Sequence, residues 1–288
     1  MFEGLPSLTA LAVLSLRALS SLPGSPADHV GDGGHRLLVP GALDRALDAV
    51  SLVTSRSHRA HTALRTLTLG MADHIALRTD AIDRALLDAL AAGCDQLVIL
   101  GAGLDARAFR MDALRAADVF EVDVRATQAI KRRRVEGLPA RARTHRFVEV
   151  DFEKDLLEPR LLAEGFDPAR KSVWIWEGVT PYLPRPAIEA TTHQLARLAD
   201  RGSRVLVTYV TGEMVNAPTL VLPGLLAAFE LLGEPLRGRL EPEELASLAS
   251  REGFTVASDT GSAEWARSHY RAARSRVEIT ERLAILVR

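Results

Sequence analysis

The segment at residues 96–110, QLVILGAGLDARAFR, decides the fold of this 288-residue chain. Its apolar first part predicts a buried strand. Gly101-Ala102-Gly103 then predicts a sharp turn, because glycine tolerates positive φ and has no side chain to obstruct a ligand. The segment also satisfies the relaxed dinucleotide-binding pattern, with Ala106 at the third glycine position. A glycine pair after a strand is also found in plain tight turns, so this segment alone leaves both interpretations open.

Short apolar runs rich in β-branched residues recur along the rest of the chain and alternate with helical patterns. This alternation is typical of a mostly parallel sheet with helices on both faces. The predicted strands are residues 96–101, 119–124, 146–152, 172–177, 204–210, 254–258 and 282–287. The predicted helices between them are residues 106–116, 125–136, 153–164, 186–200 and 241–252. We therefore predict an α/β fold with a seven-stranded sheet.

Two parts of the chain fall outside this alternation. Residues 1–92 are predicted to form a helical N-terminal lid or cap, with an amphipathic helix at 8–22 and a loop rich in Gly, Pro and Asp at 23–41. Residues 93–288 are predicted to form the core, with residues 212–240 inserted after the fifth strand. Ligands of open α/β sheets bind beyond the carboxyl ends of the strands. Both parts are expected to cover that edge, and the alternative is that they only pack on the core.

Acidic residues stand at the ends of three consecutive predicted strands. Asp123 lies 22 residues beyond Gly101, where a carboxylate can accept both hydroxyl groups of a ribose. Asp151-Phe152 ends the third strand and Glu177 the fourth. Together they indicate an adenosine with a charged amino-acid tail, with Asp151 toward the adenine amino group, Phe152 against the ring and Glu177 near the tail. A nicotinamide cofactor would instead be expected to use a further phosphate-binding helix terminus.

The charge balance bears on the class of partner. Lys and Arg number 36 against 37 acidic residues, giving a formal net charge of −1, so there is no general attraction for nucleic acid or anionic membranes. The basic run at residues 131–134 is interpreted as a solvated helix face. The single cysteine, Cys94, can form neither an internal disulfide nor a thiolate metal site, which agrees with a cytoplasmic location. We expect no metal and no membrane-spanning helix.

Further motifs surround these residues. Arg78-Thr79 and Ile82-Asp83 precede the first strand, which is followed by LGAGLDARAFR (100–110), FEVD (120–123), Lys131-Arg132, VDF (150–152) and WEGVTPYL (176–183). With these motifs the chain resembles the leucine carboxyl methyltransferase family, including its bacterial branch of O-methyltransferases that use S-adenosylmethionine (SAM) and act on small molecules and polyketide acids. The resemblance covers roughly residue 7 to the C-terminus. It implies a class I SAM methyltransferase (Rossmann-like) fold, with SAM as cofactor and S-adenosylhomocysteine as product.

The resemblance also assigns roles to single residues. In that family an arginine on the helix before the first strand binds the methionine carboxylate, which corresponds to Arg78, and such a pair can be bidentate. The remaining cofactor contacts carry over onto the glycine turn and the three acids, and we include their chain neighbours. This predicted set is Gly101, Ala102, Gly103, Asp123, Val124, Asp151, Phe152, Glu177 and Gly178. The chain departs from the family at Ala106, where a threonine is usual.

The acceptor is predicted from the chemistry of the transfer. Methyl transfer from a sulfonium to oxygen is an in-line displacement, so the enzyme mainly positions the reactants and removes water. A carboxylate is already ionised near neutral pH, whereas a phenol or alcohol needs a general base. No histidine falls inside the motifs, which favours a carboxyl group on a small molecule. Tyr182 is the candidate for orienting this acceptor, and its alternative role is a structural ring under the lid.

Other interpretations stay open. The acceptor could be a hydroxyl group, with residues 212–240 on the acceptor side in either case. The relaxed glycine pattern alone would also suit an NAD(P)-dependent oxidoreductase, and a non-catalytic SAM-binding protein would share the cofactor residues. Trp265, Arg267 and Tyr270 either line the acceptor pocket or belong to an amphipathic helix on the sheet. We expect a small-molecule partner, no nucleic acid, no membrane, and a monomer or homodimer.

Overall fold

A single twisted sheet forms the centre of the fold. The computed structural model describes residues 8–20, 38–39, 41–54, 70–216, 236–268 and 278–288. The strands in these ranges are β1 (Gln96–Leu100), β2 (Asp118–Asp123), β3 (Thr144–Glu149), β4 (Ser172–Trp176), β5 (Arg204–Asn216), β6 (Thr255–Gly261) and β7 (Glu278–Val287). Their order across the sheet is β3-β2-β1-β4-β5-β7-β6. The predicted seven-stranded sheet is confirmed.

The strand directions follow from the connections. β1 to β5 pair in parallel, whereas β7 runs antiparallel to both β5 and β6. All residues of the central strands β1 and β4 are buried, because both faces of a parallel sheet are covered. This burial explains why QLVIL and SVWIW read as continuous apolar runs rather than as alternating patterns.

Helices cover both faces of the sheet. The described α-helices are α1 (Leu8–Ser20), α2 (Gly41–Thr54), α3 (Met71–Ala91), α4 (Arg107–Arg110), α5 (Arg125–Arg134), α6 (Leu157–Ala163), α7 (Arg185–Leu198), α8 (Pro242–Arg251) and α9 (Ser262–Ser268). On one face, Leu161 of α6 and Leu195 of α7 share a buried cluster with Trp174 of the sheet. On the other face, Leu86 of α3 shares a second cluster with Ile99. Burial of side chains of this size contributes about 1.5–3 kcal/mol each to the stability of the fold.

Two predicted helices differ from the observed ones. The predicted helix at 106–116 is divided into α4 and a 3₁₀ turn, Asp112–Ala116, by an extended Met111. Both arginines of α4 point into buried ion pairs with Asp83, so tertiary contacts override the helical pattern. The helix predicted from residue 153 begins only at Leu157, because the backbone at residues 154 and 155 turns back to the carbonyl oxygen of Asp151.

Strand β5 is longer than predicted. It continues past residue 210 to Asn216, because β7 pairs with it as far as Glu278. The start of the predicted insertion at 212–240 is therefore strand, while residues 217–235 lie outside the described residues.

The N-terminal part contains the predicted first helix, which the structure describes over Leu8–Ser20, while residues 21 and 22 lie outside the described residues. Most of the predicted loop at 23–41 lies outside the described residues. Helix α3 lies within the predicted lid, but it packs on one face of the sheet. The division into a lid at 1–92 and a core at 93–288 stays a prediction. Within the described residues, no helix is both long enough and apolar enough to cross a bilayer.

Candidate functional site

A cavity of about 410 Å³ lies at the carboxyl ends of β1, β2 and β4. β1 and β4 are neighbours although the chain passes through β2 and β3 between them, so the strand order reverses here. Ligands of open α/β sheets bind at this kind of reversal, and the volume is in the range of small-molecule sites. The residues predicted to contact a cofactor all line it: Arg78, Gly101, Ala102, Gly103, Asp123, Val124, Asp151, Phe152, Glu177 and Gly178. Their roles toward a ligand stay predictions.

The glycine turn leaves β1 at the floor of the cavity. Gly101 has φ 63° and Gly103 has φ 49°, a region that favours glycine. A Cβ on Gly101 would lie 2.2 Å from Cγ2 of Val179. The first glycine is therefore required by the backbone and by the neighbouring WEGVTPYL segment, in addition to any approach of a ligand.

Asp123 ends β2 and faces the glycine turn. Its Oδ2 accepts a hydrogen bond from the Gly103 N–H at 2.5 Å, and its Oδ1 accepts one from the Val124 N–H at 2.7 Å. Burial raises the pKa of Asp123 to about 6, although these two backbone donors favour the ionised form. A carboxylate has about four acceptor positions, so Asp123 keeps capacity for the two hydroxyl groups of a ribose.

Asp151 and Phe152 follow β3 at the side of the cavity, and both are half-buried. The Asp151 carboxylate accepts a hydrogen bond from the Glu153 N–H at 3.1 Å and pairs with Nζ of Lys154 at 3.1 Å. Phe152 packs at the edge of the core cluster that contains Trp174. The acid is thus fixed by its own turn, and the ring is fixed by the core.

Glu177 follows β4 and is surrounded by arginines. Its Oε1 lies 2.9 Å from Nη2 of Arg78, and its Oε2 lies 3.0 Å from Nη1 of Arg107. Arg17 of α1 also pairs with Oε1. Burial opposes ionisation of this carboxyl group, but the three arginines hold the pKa of Glu177 well below its usual range. Glu177 is therefore a permanent negative charge that holds three arginines, of which Arg17 and Arg78 line the cavity.

Arg78 of α3 is held from two sides. Besides its contact with Glu177, its Nη1 donates to both carboxylate oxygens of Glu281 on β7, each at 3.0 Å. Nε2 of His74, one helical turn earlier, lies 2.7 Å from Oε2 of Glu281. Burial opposes ionisation of Glu281, but Arg78 and His74 lower its pKa to about 2. The arginine predicted to bind a carboxylate is thus oriented by two glutamates before any ligand enters.

A second layer of buried charges lies behind Glu177. Nε of Arg107 donates to Oδ1 of Asp83 at 2.6 Å, and Arg107 also pairs with Asp105. Arg110 pairs with the other oxygen of Asp83. Across the described residues, this ion network joins four arginines and four carboxylates: Arg17, Arg78, Arg107 and Arg110 with Asp83, Asp105, Glu177 and Glu281. Its charges balance, which is the condition for keeping so many of them buried.

Several members of this ion network received no role from the sequence. Arg17 and Glu281 stand in the first helix and the last strand, far in sequence from the other members. Arg107 and Arg110 were quoted only as letters of a motif. They flank Ala108 and Phe109, and all four residues are buried.

Of the four candidates for the acceptor side, the structure brings one to the cavity. Tyr182, at the end of the 3₁₀ turn Thr180–Tyr182, lines the cavity. Trp265 does not line it: its Nε1 donates to Oγ1 of Thr260 at 2.9 Å, and its ring packs 5.7 Å from the His74 ring. Arg267 is exposed and pairs with Glu264. Tyr270 lies outside the described residues.

The basic run at 131–134 is only partly a solvated face. Arg132 and Arg133 are exposed, but Lys131 is 1% exposed, and its Nζ lies 2.5 Å from Oε2 of the buried Glu121. The interpretation of the whole run as solvated is therefore wrong at its first residue. The helix turns Lys131 toward β2, where Glu121 of the FEVD motif supplies the opposite charge.

The strand order with an antiparallel β7, and a cavity at the reversal point, define a Rossmann-like fold of the class I methyltransferase type. The sequence profile of the leucine carboxyl methyltransferase family matches residues 10–196. The chain belongs to that family.

Curated relatives agree with this membership. The chain is 39% identical over 159 residues to a provisionally named S-adenosyl-L-methionine-dependent methyltransferase of Frankia alni, a match that covers 55% of each protein. It is 40% identical over 147 residues to a protein of the same description in Streptomyces avermitilis, covering 51% of this chain and 52% of that one. The chain thus matches about half the length of these relatives.

Solved structures share the fold over the full length. A provisionally named methyltransferase from Thermobifida fusca has a TM-score of 0.58 and 15% identity, and the alignment covers 100% of this chain and 96% of that one. A DUF574 family protein from Streptomyces avermitilis has a TM-score of 0.57 and 17% identity, with coverages of 95% and 97%. At such identities the likeness concerns the fold alone.

Proposed function

We propose that the chain is a SAM-dependent methyltransferase that forms a methyl ester on a carboxylate of a small-molecule acceptor. The observation that carries the proposal is the content of the cavity at the strand reversal. One cavity combines an acid for a ribose, an acid beside an aromatic ring, and an arginine held by glutamates. Membership of the leucine carboxyl methyltransferase family supports the same cofactor.

The cavity fits the three parts of SAM. Asp123 at the end of β2 has free acceptor capacity for the ribose hydroxyl groups. Asp151 and Phe152 offer an acceptor and an apolar ring to the adenine. Arg78 offers N–H donors to the methionine carboxylate, and the neighbouring charge of Glu177 favours the methionine ammonium group. The two ends of an amino acid therefore meet opposite charges in adjacent positions.

When bound, SAM supplies a methyl group carried by a sulfonium sulfur. An oxygen nucleophile attacks the methyl carbon, and the sulfur is the leaving group. For a carboxylate acceptor, the new C–O bond takes an electron pair from oxygen, the C–S bond breaks toward sulfur, and no proton moves. The residues of this chain then have to position the acceptor in line and exclude water. Tyr182, in the turn that lines the cavity, is placed to orient the acceptor.

The absence of an evident base supports a carboxylate over a hydroxyl group. Among the described residues that line the cavity, none is a histidine. His74 does not line the cavity, and its Nε2 is engaged with Glu281. An acceptor that is already ionised needs no such group.

The experiment is methyl transfer from SAM labelled in its methyl group to a panel of carboxylic acids and phenols. Treatment of the products with alkali distinguishes the two acceptors, because a methyl ester releases volatile methanol and a methyl ether does not. We expect alkali-labile label, and no label with the Asp123→Ala variant. Alkali-stable label would replace the carboxylate by a hydroxyl acceptor. SAM binding without transfer to any compound or cell extract would support a non-catalytic SAM-binding protein.

A further inference from the structure

The segment that follows residues 217–235 returns to the cavity at a fixed place. The N–H groups of Arg237 and Gly238 both donate to the carbonyl oxygen of Pro181, at 2.7 and 2.9 Å. A Cβ on Gly238 would lie 1.9 Å from the carbonyl oxygen of Thr180. Only glycine permits this approach, so the backbone of Arg237 is held against the turn that carries Tyr182.

The side chain of Arg237 differs from the other cations of the cavity. It lines the cavity, it is exposed, and no carboxylate of the described residues pairs with it. Arg17 and Arg78 are both engaged with Glu177, and Lys154 is engaged with Asp151. Among the described residues that line the cavity, Arg237 is therefore the cation that no carboxylate of the described residues pairs with.

The cavity needs such a cation if it is to admit an acid. Its lining carries five carboxylates: Asp105, Asp123, Asp151, Glu153 and Glu177. They outnumber the other lining cations, Arg17, Arg78 and Lys154, which already pair with Glu177 or Asp151. The rest of the described lining therefore offers an anionic acceptor no net positive charge. A guanidinium is suited to this task, since its planar donors can bind a carboxylate at two points.

We propose that Arg237 selects the acceptor by pairing with its carboxylate beside Tyr182. This inference rests on the proposed function and adds a residue that determines specificity. Because the backbone of Arg237 is held by Pro181 and its side chain pairs with none of the predicted cofactor residues, its removal lowers affinity for the acid and leaves cofactor affinity unchanged. Arg239 provides a matched control, since it is exposed, lies two residues further along the same segment and does not line the cavity.

The test titrates a panel of aliphatic and aromatic monocarboxylates, each beside its own methyl ester, into protein saturated with S-adenosylhomocysteine. We expect the wild type and Arg239→Ala to prefer acids over esters. In Arg237→Ala the acids should bind about tenfold more weakly and the esters equally well, with partial recovery in Arg237→Lys. The dissociation constant of S-adenosylhomocysteine should be the same in all four proteins.

Two results would overturn the role of Arg237 while leaving the methyltransferase proposal intact. One is that Arg237→Ala prefers acids over esters as strongly as the wild type does, or that the wild type itself has no such preference. The other is weakened binding of S-adenosylhomocysteine in Arg237→Ala, which would make the residue part of the cofactor site. Failure of the wild type to bind S-adenosylhomocysteine would instead overturn the proposed function itself.

Discussion

Arg78 and Glu177 form a buried ion pair in which Nη2 of the arginine lies 2.9 Å from Oε1 of the glutamate. Both were predicted as separate contacts to a cofactor, and the structure joins them. In the proposed function, a ligand carboxylate would meet an arginine whose position is already set, at the cost of approaching a fixed negative charge. Preorganised donors of this kind lose little freedom on binding.

Arg78→Ala should weaken SAM binding and also destabilise the fold. The variant removes the predicted partner of the methionine carboxylate. It also removes the positive charge that faces Glu177 and Glu281, and breaking a buried ion pair in this way lowers the free energy of unfolding by about 3–5 kcal/mol. Calorimetric titration measures the first effect and urea unfolding the second. Arg84→Ala, on the same helix but 55% exposed at its side chain, is the control for both. SAM affinity equal to that of the wild type would remove Arg78 from the cofactor site.

SAM binding should depend on pH through Asp123. Burial raises the pKa of this carboxyl group to about 6 in the ligand-free protein, and ribose hydroxyl groups donate best to the ionised form. Affinity should therefore fall by up to about tenfold for each pH unit below 6 and level off above it. Asp123→Asn should bind more weakly with a flat profile. A wild-type profile that is flat between about pH 5 and 7 would contradict this account.

Glu281→Gln should show that the ion network depends on charge rather than on shape. The folded pKa of Glu281, about 2, lies below its usual 4.5, so its ionisation stabilises the fold above pH 4.5 and loses this effect as the pH falls toward 2. The neutral variant should cost about 3 kcal/mol at pH 7 and less at pH 3. Urea unfolding at both values measures this, with the half-exposed Glu189→Gln as control. An equal cost at both pH values would indicate a packing effect.

Lys131→Met should destabilise the protein by about 3–5 kcal/mol, because it removes the ammonium group that faces the buried Glu121 and leaves Nε2 of His145, at 3.3 Å, as the partner of that carboxylate. Adding Glu121→Gln should recover part of this loss, since no isolated charge then remains. Arg133→Ala, two positions along the same helix and exposed, should change stability by less than about 0.5 kcal/mol. Thermal and urea unfolding measure the series. A double variant whose loss of stability equals the sum of the losses of Lys131→Met and Glu121→Gln would show that the pair does not interact.

The sequence allowed the strands and the acids at their ends to be predicted, because both are local signals. SVWIW is buried throughout, and Asp123 and Glu177 each stand where an apolar run stops. The helix predicted at 106–116 failed because Arg107 and Arg110 are drawn into ion pairs with Asp83, a contact that helical periodicity does not contain. Tertiary contacts of this kind regularly override local propensity.

The rest of the site is assembled over long distances in the chain. Glu281 contacts Arg78 across 203 positions, and Arg17 contacts Glu177 across 160. Neither residue has a neighbour in sequence that marks its role. Arg237 is similar, since only the contact of its backbone with Pro181 brings it to the cavity.

The central claim is that the cavity between β1 and β4 binds SAM. The most direct measurement is calorimetric titration of the wild-type protein with SAM, S-adenosylhomocysteine, NADH and NADPH in parallel. We expect saturable binding of the first two at one site per chain, and no heat from the nicotinamide nucleotides. Tight binding of NADH or NADPH, with no response to SAM or S-adenosylhomocysteine, would contradict the account.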